Sequence, residues 1–468
     1  SEMCIRDRDN FHIILIFSLI LYFYVVKYLD INDNGGVSMN KNRNKNIIIS
    51  GFALFSMFFG AGNLLFAPAL GEAMGKAFIP SMIGFITAGV GLVMMGAIAS
   101  MKAGGSILEA SSIVNPTFGQ IFSTVTVLAI GPGLAIPRTA ATTYEVISKG
   151  LMPNLSPVLS STIFFILVLL FVYRPSKVVS NLGRFLTPML LIVLGIIIVK
   201  GFVHPIGTPA EKGIVGAFGI GFEEGYQTMD ALAALIFARI IYDDFVTKGY
   251  SDKKEILGMT IKSAIIAGVG LSVIYIGLVF IGASASGEGI SDLGRTEMLI
   301  HLTERLLGRF GNIALSLSMA LACLTTAIGL TAYVGEYFSS LFKNKISYNV
   351  IILISSVFAA ITSVRGVDNI VAISAPILVA LYPTAIVIIF LNTFIEHLGK
   401  RGIVIGSIIG SLIPAVNTIL NSIFGNIDIF KPLEDILPKS LVVFSWVVPV
   451  VVLAIIFNII YKGKKQTA

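Results

Sequence analysis

Five residues, Phe59-Gly60-Ala61-Gly62-Asn63, sit inside an apolar run and have the composition to break a helix. Glycines release backbone amides and carbonyls from the helical ladder. A helix that resumes after the break points its positive N-terminal end at the gap. Free amides near Ala61 and Gly62, with Gly60 beside them, then suit a carboxylate, and freed carbonyls on the other side suit a small cation. Asn63 adds a side-chain oxygen, either as a cation ligand or as a helix cap or interhelical hydrogen bond.

A second glycine-rich stretch runs from Gly216 through Gly219 and Gly221 to Gly225, with Glu223 and Glu224 inside it and Tyr226, Gln227 and Asp230 just beyond. Acidic residues inside a membrane span are costly and mark function. Carbonyls of Gly219 to Gly221 and the Glu224 carboxylate suit a substrate ammonium or a coupling cation. The alternative is that Glu223 or Glu224 faces an aqueous vestibule or pairs with Arg138. Arg138 follows Gly131-Pro132-Gly133 and Pro137. It either snorkels from a span end or gates an outer path against an acidic partner. Thr325 and Thr326, in Ala322-Cys323-Leu324-Thr325-Thr326, can offer oxygens to Na⁺, or bond back to preceding carbonyls.

These residues need a scaffold, and composition specifies it. The 468-residue chain is 55% apolar and 13% charged, with a mean hydropathy of +0.90; soluble domains carry about 25% charge. Apolar runs long enough to cross about 30 Å of hydrocarbon recur. They are continuous, not alternating, so helices rather than a barrel are expected. The pattern predicts an all-α polytopic membrane protein with 12 transmembrane helices, near 47–70, 79–101, 118–141, 157–173, 181–203, 213–242, 256–282, 309–338, 348–362, 370–393, 401–425 and 438–461. The connections are short; the longest, Gly282 to Arg309, reads as an outside loop.

Residues 1–38 read as a leader foreign to the rest of the chain. Ser1 to Arg8 looks like translated sequencing adapter, Phe11 to Leu29 is apolar enough for an extra span, and Met39 opens an ordinary cytoplasmic start. Residues 39–468 are expected to form the transporter domain, with a first repeat over 47–203, a second over 213–393, and two additional helices over 401–461. Basic residues such as Lys41, Arg43, Lys45, Arg174, Lys177, Lys248, Lys253, Lys400, Arg401 and Lys464 fall on one side of this layout. The positive-inside rule then places both native termini in the cytoplasm.

The net charge of +7 is distributed over these short loops, which argues against nucleic-acid binding. Cys4 and Cys323 support neither a disulfide nor a metal site, and His12, His204, His301 and His397 form no ligand cluster. No phosphate-binding loop, nucleophile–base pair or cofactor motif occurs, so neither direct ATP drive nor enzyme chemistry is expected. The expected partners are a small-molecule substrate and the bilayer, with no obligatory protein partner evident. Glycine-interrupted spans at corresponding positions of two repeats point to a midplane binding site of an inverted-repeat transporter. The alternative is that the glycines only permit close helix packing.

The segments Phe59-Gly60-Ala61-Gly62-Asn63 with Pro68, Gly131-Pro132 with Pro137-Arg138-Thr139-Ala140, and Gly225-Tyr226 with Thr228-Met229-Asp230-Ala231-Leu232 resemble the bacterial branched-chain amino acid:cation symporter family, from Asn46 to the C-terminus. The family is similar to the wider amino acid–polyamine–cation superfamily. The resemblance implies a 5+5 inverted repeat of the leucine-transporter type with helices 1 and 6 broken, in the bacterial cell membrane. It also implies import of leucine, isoleucine or valine with Na⁺, or H⁺ in some members. By the wider fold's pattern, Na⁺ would meet Ser56, Phe59 and Ala322 together with the hydroxyls of Thr325 and Thr326, and Asn63 would match a second cation site against the substrate. That second site is weaker here, because the sixth span carries a Gly/Glu-rich stretch where two-sodium relatives carry hydroxyls. Rival readings are a symporter of another neutral amino acid or a nucleobase, a channel, and a membrane receptor that binds the amino acid without moving it.

Overall fold

A computed structural model describes residues 37–173, 178–398, 400–425 and 428–464. The apolar stretch Phe11–Leu29, Cys4, Arg174 and Lys177 lie outside these residues. In chain order the main helices are α1 Val37–Phe58, α2 Ala61–Met74, α3 Phe78–Ile86, α4 Leu92–Ala103, α5 Pro116–Leu128, α6 Ala135–Gly150, α7 Pro157–Val172 and α8 Val178–Val203. They continue with α9 Ala217–Tyr226, α10 Asp230–Thr247, α11 Lys253–Ser284, α12 Arg295–Leu341, α13 Tyr348–Ser363, α14 Val367–Thr393, α15 Arg401–Phe424 and α16 Val447–Lys464. No strand occurs among the described residues. Seven helical stretches among them are long and apolar enough to cross a membrane, and three shorter helices are apolar too.

Local chemistry explains several boundaries. Asn115 Oδ1 accepts the Phe118 amide at 2.8 Å, and Pro116 fills the first helical position of α5. The Asp252 carboxylate caps α11 by accepting the amides of Lys254 and Glu255. The segment read as a long outside loop, 282–309, is partly helical. α12 begins within it at Arg295 and bends at Gly308, whose φ of +67° favours glycine.

The surface is apolar where a bilayer would meet it. Leu170, Val199, Ile361 and Ile459 are each more than 60% exposed, which would be a liability in water. The polar groups that bear on the site are inside instead.

Small residues decide how the broken helices sit. A Cβ at Gly71 of α2 would stand 1.9 Å from the Val279 carbonyl of α11, and one at Gly282 of α11 would stand 2.0 Å from the Pro68 carbonyl of α2. Gly51 brings α1 onto the same helix, against Ile266. On the other side, Cβ atoms at Gly84 and Gly221 would meet the carbonyls of Phe218 at 2.0 Å and Ser81 at 1.9 Å, which locks α9 onto α3. A Cβ at Gly96 of α4 would stand 3.2 Å from the Ala231 carbonyl of α10. Each broken helix therefore lies along the helical stretch that follows the other break.

Candidate substrate and cation site

The first break is narrow. α1 ends at Phe58, Gly60 is extended at φ −115°, ψ −165°, and α2 starts at Ala61. Ala61, Gly62 and Asn63 thus form the first turn of α2, where amides lack intrahelical partners. Asn63 Oδ1 accepts the Gly60 amide at 3.0 Å, so this side chain holds the break's geometry as a cap.

The second break is not where the glycines suggest. Residues 217–226 are helical, and the chain leaves the helix over Gln227-Thr228-Met229. Met229 has φ +66°, ψ 6°, a left-handed conformation unusual for a residue with a side chain. The glycine stretch serves the packing of α9 on α3, which is the alternative considered for it.

The two breaks meet. The Asn63 amide nitrogen donates to Asp230 Oδ2 and to the Tyr275 hydroxyl, both at 2.5 Å, and Tyr275 donates to Asp230 Oδ2 at 3.4 Å. All three side chains are buried. Asp230 is the first residue of α10, so the helix dipole favours its negative charge. Tyr275 comes from the middle of α11 and is braced edge-on by Phe85, ring centroids 4.8 Å apart.

Arg138 neither snorkels nor pairs with an acid. It is buried, and donates to the carbonyls of Gln227 at 2.6 Å and Thr228 at 3.4 Å, where α9 ends. Its guanidinium lies over the Phe66 ring at 5.3 Å. It also lies against the start of α2: a Cβ at Gly62 would stand 2.7 Å from Arg138 Nη2.

A cavity runs between these groups. Its lining includes Gly60, Ala61, Gly62 and Asn63 from the first break, Thr228, Met229 and Asp230 from the second, Arg138 and Thr139 from α6, and Thr326 from α12, with Met57, Phe58, Ile130, Ala233, Phe237 and Leu330 as apolar wall. Gly219, Gly221 and Glu224 are not brought to it. Glu224 faces Arg295 at 3.7 Å instead, and Arg295 also reaches Asp368 at 3.3 Å and covers Phe66 at 5.1 Å.

Of the residues implied as sodium ligands, Thr326 is at the first break. Its hydroxyl lies 3.3 Å from where a Gly60 Cβ would stand, and this buried oxygen has no hydrogen-bond partner. The Thr325 hydroxyl donates to the Ala322 carbonyl at 2.9 Å. Ser56 lies near the end of α1, three residues before Phe59.

Asp230 is legible in the sequence only as one of several acids near the second glycine stretch. Tyr275 carries no sequence signal, since it is an ordinary aromatic in an apolar helix.

The helical bundle, its two interrupted helices and the cavity between their ends define a polytopic membrane transporter of the leucine-transporter type. The fold is similar to that of MHP1, a nucleobase-cation-symport-1 family transporter, with a TM-score of 0.59 at 13% identity over 90% of this chain and 93% of that one. It is also similar to MhsT in complex with L-phenylalanine, with a TM-score of 0.51 at 16% identity over 88% and 97%. Residues 43–464 match the model of the branched-chain amino acid transport protein family, and the chain belongs to that family. Two Bacillus subtilis (strain 168) relatives are the branched-chain amino acid permeases BrnQ, 36% identical over 86% of this chain and 94% of its own, and BraB, 37% identical over 88% and 94%. The family is one of transporters, not enzymes.

Proposed function

We propose that the protein is a secondary active symporter that imports leucine, isoleucine and valine with Na⁺ or H⁺ by alternating access across the bacterial cell membrane. The observation that carries this reading is the meeting of the two helix breaks at one buried cavity, tied through Asn63 and Asp230. Broken helix ends at a membrane midplane supply charge-complementary backbone for a substrate and a coupling ion. The names of the two Bacillus relatives supply the substrate class.

In this reading the α2 amides near Ala61 and Gly62 receive the substrate carboxylate, and the apolar wall around Ile130, Ala233 and Leu330 receives the aliphatic side chain. The partnerless Thr326 hydroxyl beside Gly60 supports a Na⁺ position formed with Ser56, Phe59, Ala322 and Thr325. Thr325 already donates its proton to Ala322, which leaves its oxygen lone pairs to accept a cation. Asn63 Oδ1 accepts the Gly60 amide and keeps a second lone pair, which supports it as the ligand of a second cation position. The crossed packing of the two broken helices supports an inverted repeat over 47–203 and 213–393, and the distribution of lysine and arginine supports cytoplasmic native termini.

Uptake of labelled leucine, isoleucine and valine into proteoliposomes, with Na⁺ and pH gradients imposed separately, tests this function. Accumulation above the external concentration, driven by one of the gradients, is expected. Binding without accumulation would make the protein a receptor, and equilibration without accumulation a channel.

A further inference from the structure

We propose that Arg138 and Asp230 form a split charge pair that reads the zwitterionic head of the substrate, the guanidinium taking the α-carboxylate and the carboxylate taking the α-ammonium. This deepens the amino-acid reading above and rests on it.

Both groups line the same cavity, and their residues are only 3% and 4% exposed. They carry opposite charges, yet neither takes part in an ion pair within 4.0 Å among the described residues. Two buried opposite charges that share a cavity without touching are expensive unless something fills the space between them. The filler they fit is a small molecule with a negative and a positive end and no net charge.

Each group is fixed in place and keeps spare valence. Arg138 spends one N–H of Nη1 on the Gln227 carbonyl and one of Nη2 on the Thr228 carbonyl. A guanidinium has five N–H donors in a planar fork, so three remain for a carboxylate. Asp230 Oδ2 accepts from Asn63 and Tyr275, and an ionised carboxylate offers about four acceptor sites.

The backbone reinforces the polarity. Arg138 sits against the start of α2 at Gly62, where unpaired amides also favour an anion, and only glycine leaves room for it there. The carboxylate end of the ligand thus meets a helix start and a guanidinium together. The ammonium end meets Asp230 one element away. A nucleobase would use neither charge, whereas a fatty acid or an alkylamine would use one and strand the other.

The experiment measures inhibition of labelled leucine binding to purified full-length protein by three unlabelled ligands: leucine, 4-methylpentanoate, which lacks the ammonium, and 3-methylbutylamine, which lacks the carboxylate. In Asp230→Asn, leucine should weaken by at least about tenfold while 4-methylpentanoate is unmoved, so their ratio narrows. In Arg138→Gln, leucine should weaken similarly while 3-methylbutylamine is unmoved. Asp230→Glu and Arg138→Lys keep the charges and should keep the wild-type order of the three ligands, and they serve if a neutral variant fails to fold. Equal weakening of all three ligands would assign both residues to structure and overturn the charge pair, and so would loss of the wild-type order in the charge-retaining variants. Wild-type protein that does not bind leucine at all would instead overturn the amino-acid reading beneath it.

Discussion

Asn63 donates its side-chain amide to Asp230 across the two helix breaks, 167 positions away in the chain and 2.5 Å away in space. The same amide group reaches Tyr275, and its oxygen caps Gly60. One side chain therefore closes the first break on itself, fastens it to the second, and helps solvate a buried carboxylate.

Replacing Asn63 by Ala should therefore cost more than an ordinary cap. A lost N-cap interaction is worth about 1 kcal/mol, while removing a hydrogen bond to a buried charge costs about 1.5–3 kcal/mol. We expect a loss nearer the second figure in thermal unfolding of the detergent-solubilised protein. The double variant Asn63→Ala with Asp230→Asn should recover part of that loss, because the stranded charge is gone. Simple additivity of the two changes would show that Asn63 does not support Asp230.

The glycines should separate into two classes. Gly221→Ala places a methyl group 1.9 Å from the Ser81 carbonyl, with backbone on both sides, so α9 must lift off α3. A large fall in folded yield is expected. Gly62→Ala clashes chiefly with the end of the flexible Arg138 side chain, at 2.7 Å, with the Thr228 Cα at a tight but tolerable 3.3 Å, and should leave folding intact while weakening leucine binding about tenfold or more, through displacement of that guanidinium. Size-exclusion profiles and binding measured on the same preparations distinguish the two classes. Normal leucine binding by Gly62→Ala would remove the start of α2 from the site.

How far the sequence reaches is visible in these same residues. The bundle was legible because long apolar runs leave helices as the only way to satisfy backbone in lipid. The first break was legible because its glycines and Asn63 coincide with it. The second was misplaced by composition: the glycines of 216–225 serve close contact within a helix, and the true interruption rests on Met229, whose left-handed backbone no residue type announces. Arg138 stood out as a charge within a span, but its partners are backbone carbonyls, which leave no mark in the sequence. Tyr275 joins Asp230 only because α11 packs along α2 through Gly71 and Gly282, a long-range fact.

Thr326 and Thr325 should both matter for Na⁺ dependence and differ in their effect on stability. The Thr326 hydroxyl is partnerless beside Gly60, whereas that of Thr325 is already bonded to the Ala322 carbonyl. Thr326→Val should raise the Na⁺ concentration for half-maximal leucine uptake by about tenfold, the order expected for one lost hydrogen-bonding contact to a charge. Thr325→Val should do the same and also cost a little stability. Thr326→Ser should behave as wild type. Unchanged Na⁺ dependence in Thr326→Val would remove this position from the cation site.

The two ends of the cavity should be controlled by separate ion pairs. At the α9 end, Arg295 bridges Glu224 and Asp368 and covers Phe66, the ring that Arg138 also covers. At the far end, Asp244 accepts from Ser50 at 2.9 Å and Lys248 at 2.6 Å, tying α1 to the end of α10. These side chains are partly exposed, so each set is worth only about 1 kcal/mol after screening by solvent. That is still about fivefold in the population of two nearly balanced states. Arg295→Ala should therefore favour a form open at the α9 end, and Asp244→Asn a form open at the other. The readout is a cysteine at Ala135, on the cavity wall, in a Cys4→Ala, Cys323→Ala background, labelled by a membrane-impermeant thiol reagent from each side of sealed vesicles. With the proposed orientation, Arg295→Ala should speed labelling from outside severalfold and slow it from inside, and Asp244→Asn should do the reverse. Equal acceleration from both sides would mean that these pairs hold the fold together without gating it.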